Sequence, residues 1–382
     1  MNNNPFKNSK IKVPFFKPYL SKSDHKVIDN ALNSSLLTNG PILEKFEKNF
    51  SKFTKSKYAA GVSNATSALH LSLKSLGIGP GDEVIVPDMT FVATASSVLL
   101  CGATPVLADV DEDLNISINS IENSITKKTK AVIPVHFAGK VCNIRKIQKI
   151  TKTYNLKLIE DCAHAIGSKL EGQHVGTFGD VGCFSFYPTK NITTIEGGMA
   201  ITNSEDIKES FVIMRNHGIT KTLIQRYSKG NPWDYDVINP GYNYRLDEIR
   251  SALGINQLKN IKKLNNLRKN AFKYYNNKLN KKGLSVPEID NKSEHACHLY
   301  IIKISKDFGM SRDKLYQKLL SAGIITSVHY KPLHQFTLFK NKCKIYDSLK
   351  TSKTLYDQIL SLPLFPTISK QEQNYVIKNI LD

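Results

Sequence analysis

No stretch of this 382-residue chain approaches the ~18 consecutive apolar residues that a membrane-spanning helix requires. The amino terminus, MNNNPFKNSK, lacks the apolar segment of a secretory signal. Six cysteines, at 101, 142, 162, 183, 297 and 343, include no CxxC pair, and a chain of this length does not need disulfides to hold a core. These absences predict a soluble cytoplasmic protein with reduced thiols and no membrane partner. Acidic residues are also few: 33 Asp and Glu stand against 53 Lys and Arg, a formal net charge of +20. Such an excess fits a nucleic-acid surface, a general lysine bias, or a positive potential that collects an anionic substrate. Residues 251–382 hold 23 Lys and Arg against 9 Asp and Glu, many of them along one helical pattern. That distribution favours compositional bias, which is compatible with an anionic substrate, and no nucleic-acid partner is expected. Internal repeats and low-complexity tracts are absent, and 41% hydrophobic residues suffice for a sizeable core in at most three domains.

What is present is an alternation of short and longer apolar runs. Two helices are predicted around Ser23–Asn33 and Pro41–Phe53. AAGVS, EVIVP and TPVLADV read as strands, and ATSALHLSLKSLG and ATASSVLLCG between them as helices. The pattern continues through AVIPVHFAG, a helix near Asn143–Tyr154, and LKLIED. This order predicts an α/β fold with a mostly parallel sheet and crossover helices. Leu253, Leu258, Ile261, Leu264 and Leu267 then recur at helical steps, predicting one long amphipathic helix over Asp247–Asn280. A strand CHLYIIKI, a helix SRDKLYQKLLSAG, a strand-like IITSVHY and a closing helix after SLPLFPTIS follow. The expected division is a large α/β domain over residues 1–250, then the linking helix and a small α+β domain over 251–382.

Within this frame Lys190 is the most informative residue. It follows the apolar run Cys183–Tyr187 and precedes Gly197-Gly198. Lysines rarely go inside without a partner, and an amine held there can lose its proton and condense with a carbonyl. Asp161 ends another apolar run, where open α/β sheets face their ligand. It is either a helix N-cap or a carboxylate for a pyridinium nitrogen. A Schiff-base lysine with such a carboxylate is the protein half of pyridoxal phosphate chemistry. Ser185, with the helix start at Ser63–Ser67, offers donors to a phosphate or is an ordinary cap. Phe91 is a core ring or one that stacks on a planar cofactor. His164 contacts such a ring or is a polar residue in a first helical turn. His329 and Tyr330, in SVHYKPLH, line a substrate pocket or form a loop surface. His295-Ala-Cys-His298 supplies too few ligands for a metal site, and none is expected.

Taken in order, the strings LTNGPILEKFE, SNATSALHLSL, GDEVIVPDMTFVATASSVLLCGATPVLADVD, EDCAHAIGS, GDVGCFSFYPTKNITTIEGGMAIT, RNHGI, GYNYRLDEIRSALGINQL, HLYIIKI and SLPLFP resemble the sugar aminotransferases of the DegT/DnrJ/EryC1/StrS family. The resemblance runs from about Pro14 to the carboxyl end and implies a fold-type-I architecture with pyridoxal 5'-phosphate as cofactor. It places Lys190 in the Schiff-base role and Asp161 at the ring nitrogen. Ser185, Thr66 and the backbone of Ala65 go to the phosphate, Phe91 to the ring face and His164 beside the ring oxygen. Asn243 resembles an asparagine donated to the phosphate by a neighbouring subunit, which implies a homodimer with shared active sites. Arg245 is implied as an anion contact. The implied reaction moves an amino group from L-glutamate to a nucleotide-linked keto-sugar, with C4 of a UDP-4-keto-6-deoxy-hexose the nearest match. A sugar dehydratase of the same family is the alternative; relatives of that type which abandon the lysine carry histidine in its place, and Lys190 is retained. A nucleic-acid-binding regulator built on this fold would carry an added helix-turn-helix, for which the family match leaves no room. Two departures stand out: Cys162 where a small residue such as alanine is usual, and the long polar segment TKTLIQRYSKGNPWDYDVIN, expected near the sugar-nucleotide site.

Overall fold

The computed structural model describes residues 11–221, 225–226, 231–289 and 293–382. The expectation about the first ten residues, and part of that about the polar segment after RNHGI, lie outside the described residues. Helices α1 (Lys22–Leu32) and α2 (Pro41–Thr54) lead into β1 (Tyr58–Val62), α3 (Ala65–Ser75), β2 (Glu83–Pro87), α4 (Ala93–Leu100) and β3 (Thr104–Ala108). The chain continues with α5 (Ile118–Asn123), β4 (Thr129–Val132), α6 (Ile144–Thr153) and β5 (Lys157–Asp161). Two short strands, β6 (Lys169–Leu170) and β7 (Gln173–His174), precede β8 (Val181–Ser185), β9 (Gly198–Thr202) and α7 (Glu205–Met214).

Seven strands form one sheet in the order β1-β9-β8-β5-β4-β2-β3. All pairings from β8 to β3 are parallel; β9 alone runs against its neighbours, so the carboxyl ends of the other strands share one edge. The sheet is covered on both faces, which is why β2 is buried at all five residues and reads as an unbroken apolar run. Crossover helices carry the matching stripe: in α6, Ile144, Ile147 and Ile150 face inward with lysines between them. This is the mixed α/β architecture, with a mostly parallel large sheet, that the alternation predicted.

The expected long helix over Asp247–Asn280 is two helices, α8 (Glu248–Lys259) and α9 (Ile261–Lys278). Asn260 breaks it by putting its own Nδ2 on the Asn256 carbonyl at 3.0 Å, the oxygen a continuing helix would bond through the Asn260 N–H. That N–H turns back to Gln257 instead, and the Asn260 carbonyl starts the next helix. Beyond lie β10 (Leu284–Ser285), β11 (Ser293–Glu294), β12 (Tyr300–Ile304), a helix Arg312–Ser321, β13 (Ile359–Leu362) and the closing helix Lys370–Leu381, capped by Ser369. A second core gathers here around Phe272, Tyr275, Tyr300, Leu315 and Val376, and Val13 from the amino-terminal stretch packs into it. IITSVHY does not form the expected strand. It makes only single bridges, Ile324 to Val13 and Ser327 to Ser361, because it crosses from the small sheet to the large one and delivers His329 and Tyr330 there.

Candidate active site

Most of the residues singled out from the sequence converge on one cavity of about 540 Å³ at the carboxyl edge of the large sheet. Asn64 at the cap of α3 and Ala65 and Thr66 in its first turn enter it, as do Phe91 from the turn after β2 and Thr94 from the first turn of α4. Asp161 and His164 come from the end of β5, and Ser185 from the end of β8. Lys190 sits in the loop joining β8 to β9, and His329 and Tyr330 close the far wall. The parallel topology explains the convergence: strands that run one way end on one edge, and their connecting turns meet there.

Asp161 is 5% exposed and makes two hydrogen bonds, from the Thr94 hydroxyl at 3.0 Å and the Ala163 N–H at 3.1 Å. Burial raises its carboxyl above the ordinary value, against those two donors and the charges of Lys190 and His136. The same burial lowers the Lys190 ammonium to about 8, with Asp161 pulling the other way. An amine poised there passes between its two protonation states in the physiological range.

The remaining walls are set by rings. Phe91 is 55% exposed, the opposite of a core phenylalanine, and lies 5.9 Å from the Tyr330 ring. His164 is buried; its Nε2 meets the Tyr330 hydroxyl at 3.2 Å while its Nδ1 has no hydrogen-bond partner. Burial, reinforced by Lys190 and His329, holds His164 well below its usual pKa, so it is neutral. His329 is lowered to about 4 by burial and the Lys190 charge, and its Nδ1 is paired with the Ser361 hydroxyl at 2.8 Å.

The start of α3 is prepared for an anion. Asn64 caps it by accepting from the Ser67 N–H at 2.8 Å. The N–H groups of Ala65 and Thr66 have no helical partner by position, and both residues line the cavity. Gly198, the first residue of β9, lies so close that a Cβ there would stand 2.5 Å from the Asn64 carbonyl carbon. Ser185 sits on the neighbouring strand, paired with Gly198 in the ladder. A phosphate fits this cradle, a cationic ring nitrogen fits the under-satisfied Asp161 carboxylate, a carbonyl fits the Lys190 amine, and the orphaned His164 Nδ1 fits a polar ring substituent. Pyridoxal phosphate carries all four features.

Asn243 and Arg245 are not in this cavity. Asn243 is exposed and bridges Asn216, and the Arg245 guanidinium donates to the Asn216 side chain at 2.9 Å. Cys162 is buried behind the site, with its N–H on the Cys183 carbonyl and its thiol pushed up to about 12 by burial. Sequence reasoning missed Thr94, which holds Asp161, and His298, whose ring lies 4.5 Å from that of His164. Thr94 stands within the MTFVATA string, but only the folded chain, which brings the first turn of α4 to the end of β5, reveals its target. Among the described residues, His136, Glu160 and Cys162 bring possible metal ligands together. Glu160 is consumed there by His136 and by the N–H groups of Gly176, Phe178 and Gly179, so the cluster is a hydrogen-bonded core.

The family model described as the DegT/DnrJ/EryC1/StrS aminotransferase family matches residues 18–381. The spore coat polysaccharide biosynthesis protein SpsC of Bacillus subtilis is 36% identical, over 97% of this chain and 96% of its own. Among solved structures, the putative sugar aminotransferase Spr1654 of Streptococcus pneumoniae in its PMP form superposes with a TM-score of 0.90 at 31% identity, covering 97% of this chain and 98% of that one. PseC of Helicobacter pylori, an aminotransferase involved in the biosynthesis of pseudoaminic acid, gives 0.88 at 32% identity, covering 97% and 98%. The Streptococcus structure is also solved in a PLP form. With matches spanning nearly the whole chain and a cavity fitted to the cofactor, the chain belongs to the DegT/DnrJ/EryC1/StrS aminotransferase family and uses pyridoxal 5'-phosphate.

Proposed function

We propose that this aminotransferase moves an amino group from L-glutamate to the keto group of a nucleotide-linked sugar, at C4 of a UDP-4-keto-6-deoxy-hexose, to make amino sugars for surface glycans. The observation that carries the reading is the meeting of Lys190 and Asp161 in one cavity beside the exposed face of Phe91. The net positive charge favours an anionic substrate such as a nucleotide diphosphate sugar, and polysaccharide biosynthesis is the role that the name of SpsC gives.

When bound, pyridoxal phosphate supplies an electron sink for the charge left on the donor Cα. Lys190, Asp161, Ser185, Thr66, the Ala65 backbone, Phe91 and His164 would hold it. Asp161 keeps a proton on the ring nitrogen, and this contact relieves its own buried charge. Lys190 would take the proton from the donor Cα in the first half-reaction and deliver one to the sugar carbon that receives the nitrogen in the second; a pKa of about 8 suits both acts. Neutral His164 and His329 leave Lys190 the mobile proton carrier near the site. Tyr330 and His329, on the far wall of the cavity, would contact the sugar substrate.

Asn243 is exposed and outside its own chain's cavity, which is what a residue donated to a second copy requires. The reading is therefore a homodimer with shared sites in the cytoplasm, Arg245 lying near the partner's cavity as an anion contact. Mixing inactive Lys190→Ala and Asn243→Ala chains tests this. Hybrid dimers hold one site with both native residues and one with neither, so each hybrid should recover up to one full site's activity, about half that of a native dimer. Absence of any recovery in verified hybrids rejects sharing. A panel of nucleotide keto-sugars with labelled glutamate tests the substrate; transfer to a UDP-4-keto-6-deoxy-hexose is expected, and transfer to none of the panel rejects the reading.

A further inference from the structure

Lys190 borders a second space. A small chamber of about 50 Å³ next to it is lined by Phe15, Phe16, His298, His329, Leu362 and Leu364. Thr189 and Tyr330 complete the wall beside Lys190. A volume of this size has room for an ammonium head or for ordered water.

The chamber has a defined hydrogen-bond polarity. The Asn191 Nδ2 lies 2.7 Å from the Ala296 carbonyl, which can only accept, so the amide orientation is fixed. The Asn191 Oδ1 is therefore the atom 3.1 Å from the His298 Nδ1, and that nitrogen must carry the proton. His298 is 4% exposed, and burial, with His164, Lys190 and Arg268 nearby, keeps it well below its usual pKa. A neutral imidazole protonated at Nδ1 has a lone pair at Nε2 and no second proton. Arg268 fixes the frame from behind, donating to the carbonyls of His298 at 3.2 Å, Leu364 at 2.9 Å and Thr189 at 3.4 Å. One buried guanidinium thus ties the residue before Lys190 to both walls of the chamber.

We propose that this chamber is the resting position of the displaced Lys190 amine before and after its proton transfer in the front cavity, and that His298 Nε2 is the acceptor that holds it there. The proposal rests on the assigned role of Lys190 and goes beyond it. His298 is a positioning residue: it gives the amine a second place to be, so that the front cavity is cleared for the incoming substrate without the amine leaving the site. The titratable and charged groups facing Lys190 are Asp161 from β5, His164 from the turn after it, Glu196 from its own loop, His298 before β12, and His329 and Tyr330 from the crossing segment, with Arg268 of α9 behind Thr189. Among them His298 has its tautomer fixed as an acceptor.

Nitrogen-15 NMR of the histidine-labelled holoenzyme tests this, with His298 assigned by its Gln variant. The expected result is an unprotonated Nε2 signal that moves toward the hydrogen-bonded range when glutamate frees Lys190. In His298→Leu the pH midpoint of the glutamate half-reaction, read in single turnovers, should fall by about 1, because a neutral acceptor favours the ammonium. His298→Gln, which retains an acceptor and the packing volume, should restore most of that shift. An Nε2 signal indifferent to glutamate, or a Leu variant with the native midpoint, overturns the proposal. Should His298→Leu not fold, the signal and the Gln variant decide alone. Borohydride fixation of the cofactor to the Lys190 peptide in the same samples separates the two readings: without it the role of Lys190 fails, and with it only the chamber is in question.

Discussion

Asp88 and Asp161 stand at corresponding places, at the carboxyl ends of parallel strands two apart in the same sheet, and they have opposite surroundings. Asp88, just past β2, is fully buried and saturated from within the chain. It accepts from the His334 N–H at 3.0 Å, the Ser352 hydroxyl at 2.6 Å and the His334 ring at 2.7 Å. Asp161 has one hydroxyl and one N–H, and an open cavity in front of it. The same contrast recurs at two helix starts. Gly40, ahead of α2, has no side chain to cap with, and the buried Glu248 carboxylate takes the N–H groups of Gly40, Ile42 and Leu43 at 2.8–3.0 Å. At α3 only the Ser67 N–H is taken, by Asn64, and the first turn stays open. Sites completed internally hold the fold together; sites left incomplete are where a ligand belongs.

The contrast can be broken by mutation. The largest effect is expected for Asp161→Asn: amino transfer falls by roughly 10²- to 10⁴-fold, the range for loss of a group that stabilises developing charge. Cofactor-free Asp161→Asn protein should be as stable as the native chain or more so, because the native carboxylate is held above its ordinary pKa and so disfavours folding at neutral pH. A large drop in urea midpoint would put Asp161 in the same class as Asp88. Asp88→Asn should do the reverse, with a stability loss of about 2–4 kcal/mol from stranding donors on a buried carboxylate site. Turnover per folded molecule should change only several-fold, and a rate collapse in folded protein would contradict the distinction. Glu248→Gln should cost about 1–2 kcal/mol, since a neutral acceptor complements the α2 terminus less well. Isothermal denaturation measures it, and no change would remove the analogy between the two helix starts.

A further effect concerns pH. Lys190 in the folded chain titrates near 8, below its ordinary 10.5. Between those values the unfolded chain binds the extra proton, so this group's contribution to stability rises with pH across the window and is unfavourable below it. Cofactor-free Lys190→Met protein should therefore gain on the native chain below about pH 8 and lose that advantage by 10.5. Parallel stability curves would show that the amine is not buried in the manner described.

Much of this was legible beforehand because it is local. β2 ends where EVIVP does, α3 starts at Ala65, Asp161 ends β5, and Lys190 follows β8 in the loop to β9, an order that the apolar runs alone reveal. Saturated carboxylates were invisible, because Glu248 completes a helix 208 residues away from it in sequence at Gly40, and no spacing rule reaches that far. Asn260 looked like one polar residue in a helical stripe; its side chain competing for the Asn256 carbonyl decides the break. IITSVHY has strand composition, yet its backbone partners come from two separate places, which composition does not encode. Phe91 was ambiguous as a letter and clear as a surface, since exposure is a property of the neighbours.

The near-contact of Gly198 with Asn64 has a mechanical corollary. The strand leaving the lysine loop rests directly on the turn that opens α3, with no side chain between them to compress. The two ends of the ligand's berth are thereby gauged against each other like the jaws of a caliper. Any residue larger than hydrogen at position 198 forces the jaws apart, and the cofactor would then reach one of them and miss the other.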